Sequence, residues 1–264
     1  MLPRNSLGRP YLDEMLRVAH KLSPRLNFIK ARVRPGIRLI RRLLAAFAAS
    51  TPASDFQTRL DAAHRAWRTI MAPYGDEFGI IRFPAPPPPL EQRHVENARL
   101  FADRYTLLDS LPKGGTVAEI GVWKGDFSAE ILRRVRPEFL HLFDLDLVRF
   151  DVRRRFAECA EYVIFHEGDC ALTLQEVPDR TFDWIYIDAA HDYESVRRDA
   201  GLAAKKIKDR GTLVFNDYLM WSHREALPYG VVRAVNELCV NDGWKVTAFA
   251  LHNGMYCDIA ICRP

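Results

Sequence analysis

The chain has 264 residues, of which 48% are hydrophobic and 27% charged, and its formal net charge is +4 at pH 7. This length accommodates one large domain, or one domain with an extension, and the composition excludes a disordered chain. An apolar stretch of about 18 or more residues is absent from the sequence, so no transmembrane helix is predicted. The five cysteines are scattered, and none stands in CxxC spacing, which argues against structural disulfides and against a zinc site. The start of the sequence lacks the apolar region of a secretory signal, and we therefore expect a cytoplasmic protein.

Basic residues are concentrated near the N-terminus. Residues 1–70 contain 14 Lys and Arg against 4 Asp and Glu, whereas the remainder contains 24 against 30. Residues 1–82 are predicted to form a basic helical extension. Within it, residues 28–44 interleave arginine with leucine and isoleucine, as in a helix that lies on a membrane surface. The alternative is a helix that packs on the rest of the chain, or on a second copy in a homo-oligomer, with its arginines in water. No motif beyond charge indicates nucleic-acid binding.

A proline-rich linker at residues 83–90 separates this extension from an α/β domain at residues 91–264. In that domain, apolar runs of strand length alternate with helical patterns, which indicates a mainly parallel sheet. Seven strands are predicted, at 116–120, 139–144, 161–166, 182–187, 212–216, 244–251 and 256–261. Helices are predicted at 126–135, 148–159, 171–176, 193–208 and 231–241. The short turn at residues 252–254 between the last two strands predicts an antiparallel hairpin at a sheet edge.

The first predicted strand ends in a glycine loop, EIGVWKG, which covers residues 119–125. Ligands bind beyond the carboxyl ends of the strands in open parallel sheets, so this loop is a candidate binding site. Gly121 permits a tight turn, and Gly125 allows a ligand or backbone to come close. Trp123 does not fit the GxGxxG fingerprint of dinucleotide-binding proteins, which disfavours a nicotinamide-dependent oxidoreductase. Glu119 would repel a phosphate and would suit an ammonium group.

Carboxylates follow the second and third predicted strands. Asp144 lies about twenty residues beyond the glycine loop, where a carboxylate accepts hydrogen bonds from ribose hydroxyls, and Asp146 can take the same role. Whichever of the two does not bind ribose is expected to cap the following helix. Asp169 either caps its own helix or accepts the exocyclic amine of an adenine.

The five strand ends read EIGVWKG, FDLD, EGDC, FDWIYIDAAHDYE and GTLVFNDY in chain order. This series, within about residues 95–264, resembles the class I S-adenosylmethionine-dependent methyltransferases. It is most similar to the small O-methyltransferases of the catechol and caffeoyl-coenzyme A types and to bacterial enzymes that tailor sugars and antibiotics. The resemblance implies a Rossmann-like seven-stranded sheet of order 3-2-1-4-5-7-6 with strand 7 antiparallel.

The resemblance also implies where S-adenosylmethionine would bind. Glu119 and Gly121 would lie by its methionine part, in the same loop as Trp123 and Gly125. Asp144 would lie by its ribose. The following strand ends would place Asp169 by its adenine and Asp188 at the border between cofactor and acceptor.

Asp188, Asn216 and Asp217 follow the fourth and fifth predicted strands. Because these strands are neighbours in the implied fold, we expect the three side chains to converge. Their oxygens suit Mg²⁺ or Ca²⁺. In the related metal-dependent methyltransferases, an aspartate after strand four and an Asp-Asn pair after strand five bind the metal. The pair is reversed here, so use of the site without metal is the alternative.

His191 lies three residues beyond Asp188, where the catechol-type enzymes carry a catalytic lysine. A histidine titrates near neutrality, so it can remove the proton of an acceptor hydroxyl. Asp188 and His191 are therefore predicted as catalytic residues. The alternative is that the histidine merely starts the next helix.

The segment 218–229 is predicted to form a lid over the acceptor. Trp221, His223, Arg224 and Tyr229 either contact the acceptor or only pack and face solvent. The predicted activity is transfer of a methyl group to a hydroxyl of a small molecule or glycan. The alternative is an inactive methyltransferase-like module that binds a membrane surface or a protein partner.

Overall fold

The computed structural model describes residues 53–71, 86–222, 224–225 and 227–263. The chain divides into two units, Met1–Pro84 and Ala85–Pro264. In the first unit, helix α1 spans Ala53–Met71, and every one of its side chains that is described is exposed. The predicted membrane-facing stretch 28–44 lies outside the described residues. Within the described ranges, no helix is both long enough and apolar enough to cross a bilayer.

The second unit alternates strands and helices. Its strands are β1 Arg99–Phe101, β2 Thr116–Ile120, β3 Phe139–Asp144, β4 Val163–Glu167, β5 Phe182–Ile187, β6 Ile207–Phe215, β7 Trp221–Ser222, β8 Leu227–Pro228, β9 Lys245–Ala250 and β10 Asp258–Cys262. Its helices are α2 Gln92–Val95, α3 Arg104–Ser110, α4 Asp126–Val135, α5 Val152–Arg155, α6 Cys170–Thr173, α7 Tyr193–Lys206 and α8 Val231–Asp242. Two 3₁₀ turns follow α5 and α6, at Ala157–Cys159 and Leu174–Glu176.

Among the described residues of this unit, eight strands form one mixed sheet, in the order β1-β9-β10-β6-β5-β2-β3-β4, and β7 pairs with β8. Strand β10 runs antiparallel to both of its neighbours, and the other pairs in the sheet are parallel. The prediction of seven strands is wrong because β1 pairs with β9 and extends the sheet beyond it. This strand has only three residues and no buried side chain, so it lacks the alternation by which strands are recognised.

The sheet is covered by helices on both faces, as the alternation along β5 shows. Ile185 and Ile187 belong to one buried cluster, which includes side chains of α7 and α8. Trp184 and Tyr186 belong to the other, which includes side chains of α3 and α4. Because successive side chains of a strand point to opposite faces, the part of a central strand that is covered on both faces is apolar, as in residues 184–187 of β5.

Local backbone geometry explains two differences from the predicted helices. The predicted helix 148–159 is reduced to α5 and a 3₁₀ turn, since Asp151 has a left-handed φ of 53° and Phe156 departs from helical geometry. Helix α3 was not predicted, although Asp103 and Thr106 form a capping box at its start. It has only seven residues, too few for a clear helical period.

Candidate active site

The carboxyl ends of five parallel strands are joined by backbone hydrogen bonds. The N–H of Gly168 donates to Asp144, that of Gly121 to Phe143, that of Asp188 to Ile120 and that of Asn216 to Ile187, at 2.7 to 2.9 Å. The residue that follows β2, β4, β5 or β6 is therefore tied to the end of the neighbouring strand. These bonds place the predicted site residues in a row along one edge of the sheet.

Two cavities open at this edge. The first has a volume of about 520 Å³ and is lined by residues that follow β2, β3, β4 and β5. The second has a volume of about 620 Å³ and is lined by residues of α3, the glycine loop and the segment after β6. Gly121, Trp123, Asp188 and Ala189 line both cavities. Two sites of small-molecule size thus share one wall.

Gly121 brings the glycine loop into contact with the end of β5. Its φ is +90°, and an added Cβ would lie 2.0 Å from the carbonyl oxygen of Asp188. Both the backbone conformation and the lack of space therefore require glycine. At the far end of the loop, Gly125 has a φ of +76°, and an added Cβ would lie 2.8 Å from the ring of Phe156.

Asp144 holds the glycine loop in place. Its Oδ2 accepts hydrogen bonds from the backbone N–H groups of Val122 and Trp123, at 2.8 and 2.9 Å. Its Oδ1 accepts the N–H of Asp146 at 3.0 Å. Asp146 is exposed and lines the same cavity, and its Oδ1 accepts the N–H of Arg149 at 2.9 Å. Both carboxylates considered for the ribose therefore lie at the first cavity. Asp144 accepts more backbone hydrogen bonds than Asp146 does.

Asp169 lies at the first cavity and caps helix α6. Its Oδ1 accepts the backbone N–H of Ala171 at 2.8 Å, and Arg198 lies 3.6 Å from the same oxygen. Arg198 also contacts the buried carboxylate of Asp199 at 3.1 Å. Burial raises the pKa of Asp199, and the neighbouring arginine opposes this. Asp169 therefore caps helix α6 and also lines the first cavity.

Glu119 is buried at the end of β2 and lines the second cavity. It accepts a short hydrogen bond from the hydroxyl of Ser128 on helix α4. Burial raises the pKa of Glu119 well above its usual range, although the hydrogen bond from Ser128 lowers it. Glu119 and Gly121 both line the second cavity.

His191 lies between two carboxylates. Its Nε2 is 3.6 Å from Oδ1 of Asp188 and 3.6 Å from Oδ2 of Asp217. Its ring stacks on Tyr229, with centroids 4.5 Å apart. Burial lowers the pKa of His191, but Asp188 and Asp217 outweigh this effect, so the net shift is upward. Burial also raises the pKa of Asp217 to about 6.

Asn216 does not join this group. Its side chain is buried and donates hydrogen bonds to Asp258 at 3.0 Å and to the hydroxyl of Tyr186 at 3.3 Å. The expected convergence of Asp188, Asn216 and Asp217 is therefore wrong for Asn216, because the buried carboxylate of Asp258 attracts its amide. Among the described residues, no group of three or more His, Cys, Asp or Glu side chains is arranged to hold a metal ion.

The strands β7 and β8 form a small hairpin beside the second cavity. Ser222, Arg224, Glu225 and Tyr229 from this segment line it. The hairpin is anchored by Tyr256, whose hydroxyl lies 2.9 Å from Oγ of Ser222 and accepts the N–H of Arg224 at 3.1 Å. Trp221 does not line either cavity, and His223 lies outside the described residues. The segment thus supplies polar groups to the second cavity.

Residues 118–218 match a family described as a methyltransferase domain. The match covers less than half of the chain. No curated protein sequence matches the chain.

Similar solved structures include an O-methyltransferase family protein from Burkholderia thailandensis, with 17% identity over 61% of this chain and 55% of that chain and a TM-score of 0.48. The pyocyanin biosynthetic protein PhzM is 18% identical over 62% of this chain and 55% of that chain, with a TM-score of 0.47. An S-adenosylmethionine-dependent methyltransferase from Mesorhizobium loti is 14% identical over 61% and 96%, also with a TM-score of 0.47. The chain spans about half the length of the first two proteins.

Arg104 and Tyr105 also line the second cavity, and the sequence did not indicate either of them. Both belong to helix α3, which precedes the first predicted strand. Their only sequence signal is the capping box that starts this helix, and a capping box does not reveal which cavity a side chain faces.

Proposed function

We propose that this protein is an S-adenosylmethionine-dependent methyltransferase that methylates a hydroxyl group of a small molecule or glycan. The observation that carries the proposal is the position of His191 between Asp188 and Asp217, next to the wall that the two cavities share. A base at such a border is placed to act on an acceptor in one cavity while a methyl donor lies in the other.

The volume of the first cavity and the carboxylates that line it support binding of the cofactor there. Gly121 lets the glycine loop lie directly against the carbonyl of Asp188 at the shared wall, where any side chain would clash. The carboxylate of Asp146 suits ribose hydroxyls, and that of Asp169 suits an exocyclic amine. When bound, S-adenosylmethionine supplies an electrophilic methyl carbon, and its sulfur keeps the electron pair of the broken bond.

The residues of the second cavity prepare the acceptor. His191 in its neutral form accepts the hydroxyl proton at Nε2, which leaves the acceptor oxygen with the electron pair that bonds to the methyl carbon. Asp188 and Asp217 stabilise the imidazolium that results. Tyr229 holds the ring by stacking. Closure of the site by the β7–β8 hairpin would limit access of water.

The proposal does not use a divalent metal. The predicted ligand set lacks its amide, since Asn216 is bonded to Asp258 and Tyr186, and the two carboxylates that remain flank His191. Methyl transfer is therefore expected to proceed at the same rate in the presence of EDTA.

Calorimetry of the full chain with S-adenosylhomocysteine tests the cofactor site. The reaction is tested with a panel of catechols, aliphatic alcohols and glycosides, by measuring how much S-adenosylmethionine is converted to S-adenosylhomocysteine. We expect micromolar binding and turnover with at least one hydroxyl acceptor. A folded protein that does not bind the nucleoside contradicts the proposal and favours an inactive binding module. Binding with turnover only on amine acceptors contradicts O-methylation.

A further inference from the structure

Arg104 is the first residue of helix α3, and it lines the second cavity together with Asp188, His191 and Asp217. Its side chain is 20% exposed. Its Nε is buried and has no hydrogen-bond partner among the described residues. A buried cationic donor without a partner is costly, so native structures rarely keep one without a functional reason.

The nearest carboxylate does not satisfy this guanidinium. Oδ2 of Asp258 lies 3.8 Å from the Nε of Arg104, which is beyond hydrogen-bond distance. Both oxygens of Asp258 already accept hydrogen bonds, from Tyr186 at 2.7 Å and from Asn216 at 3.0 Å. Asp258 therefore balances the charge of Arg104 without occupying its donors.

The charge of Arg104 also acts on the site itself. Asp188 and Asp217 contribute to raising the pKa of Arg104, and the arginine in turn opposes the rise that burial causes in the pKa of Asp217. The second cavity thus contains a fixed cation in addition to a candidate base. In metal-dependent transfer chemistry, a bound cation stabilises the oxygen that loses its proton.

We propose that Arg104 donates a hydrogen bond to the acceptor oxygen and stabilises its negative charge as His191 takes the proton. This inference rests on the proposed function. It assigns to an arginine of this chain the charge that a divalent metal would otherwise provide. Donors that are positioned before charge develops contribute strongly to the transition state because they need no reorganisation.

The test compares Arg104→Met, Arg104→Lys and the wild-type chain, with EDTA present throughout, in calorimetry and in turnover of the acceptor that the panel identifies. Loss of one donor to a developing oxyanion costs about 100-fold in kcat, so we expect this loss in Arg104→Met, with affinity for S-adenosylhomocysteine within about threefold of wild type. Arg104→Lys keeps a point charge without the planar fork and should lose roughly tenfold.

Chemical rescue separates a direct role from a structural one. Guanidinium ion at millimolar concentration should restore about a tenth of the lost kcat in Arg104→Met, whereas the same concentration of tetramethylammonium should not. The matched control is Arg99→Met, since Arg99 lies on β1 over the ring of Phe101 and lines neither cavity. It should keep wild-type turnover.

The outcomes distinguish this inference from the function on which it rests. If the wild type is active and Arg104→Met is equally active, the role of Arg104 is overturned and the proposed function stands. A loss in kcat that guanidinium does not relieve, in a variant that still binds the nucleoside, also overturns the role of Arg104. A wild type that binds no nucleoside and turns over no acceptor overturns the proposed function, and this inference with it. Arg104→Lys supplies the answer if Arg104→Met does not fold.

Discussion

The imidazole of His191 and the phenol of Tyr229 are stacked face to face, with ring centroids 4.5 Å apart and planes inclined by 7°. This contact joins the loop that follows β5 to the residue that directly follows the β7–β8 hairpin. The backbone strengthens it, because the N–H of Gly230 donates to the carbonyl of His191 at 2.7 Å. The candidate base is therefore held by the segment that borders the second cavity.

Replacing His191 by Gln should remove the base and keep the fold. General-base catalysis contributes about 100-fold or more, so kcat should fall by roughly that factor. Affinity for S-adenosylhomocysteine should stay near the wild-type value, since the nucleoside is proposed to lie in the first cavity. Steady-state kinetics and calorimetry measure the two effects. Equal kcat in the variant would rule out His191 as the base.

The pH profile of kcat/KM should report the raised pKa of His191. The neutral imidazole is the active form, so activity should be low below this pKa and rise as pH increases through it. Asp217 is one of the carboxylates that raise the pKa of His191. Asp217→Asn should therefore move the acidic limb of the profile to lower pH. A limb that stays in place, or moves upward, would contradict the assignment.

Gly121→Ala should destabilise the domain far more than Gly114→Ala. Both glycines have a positive φ, +90° and +69°, so backbone strain of about 1 kcal/mol is common to the two substitutions. An added Cβ at residue 121 meets the Asp188 carbonyl at 2.0 Å, whereas at residue 114 it meets nothing within 4 Å. Urea denaturation should show a free energy of unfolding lower by about 3 kcal/mol for the first variant, and the nucleoside site should be lost with it.

Alanine substitutions at Asp144 and at Asp146 should distinguish a residue that stabilises the glycine loop from one that binds the ligand. Asp144→Ala leaves the N–H groups of Val122 and Trp123 without their acceptor, and about 1–3 kcal/mol of stability should be lost. Asp146→Ala removes an exposed carboxylate, so stability should change by less than about 1 kcal/mol. We expect Asp146→Ala to weaken binding of S-adenosylhomocysteine about tenfold in calorimetry. Unchanged binding in Asp146→Ala would indicate that Asp144, and not Asp146, binds the ribose.

The histidine pair on β3 and β4 should make stability depend on pH. Nδ1 of His141 lies 2.9 Å from Nε2 of His166. Burial, and then the charge of His166, lowers the pKa of His141 to about 4. The unfolded chain binds the proton more readily, so stability should be complete above about pH 6.5 and should fall as pH drops towards 4, by roughly 3 kcal/mol in total.

Urea denaturation at pH 7 and pH 5 measures this effect. His141→Gln removes the titrating group and should show a smaller loss between the two pH values than the wild type does. His64 lies on the exposed surface of α1, and His64→Gln is the matched control that should leave the wild-type difference intact. If the free energy of unfolding falls equally in wild type and His141→Gln between pH 7 and pH 5, His141 is not the group that causes the pH dependence.

Much of this domain follows from local patterns in the sequence. The apolar runs of β2, β3 and β5 are recognisable because central strands are buried on both faces, and their positions also locate the polar residues that follow them. Gly121 and Asp188 were found in this way, and so was the proximity of His191 to Asp188, which are three residues apart. In each of these cases the determining interaction is short in sequence or is set by the ends of adjacent strands.

Tertiary structure decided what depends on residues far apart in the chain. Strand β1 exists because β9, about 150 residues later, offers it an edge to pair with. Asn216 turns inward because Asp258, on a different strand, presents a buried carboxylate. Arg104 reaches the acceptor cavity because α3 packs on the sheet beside α4. Side-chain direction at such positions is set by packing and by the charges already buried there, and no local pattern encodes either of these.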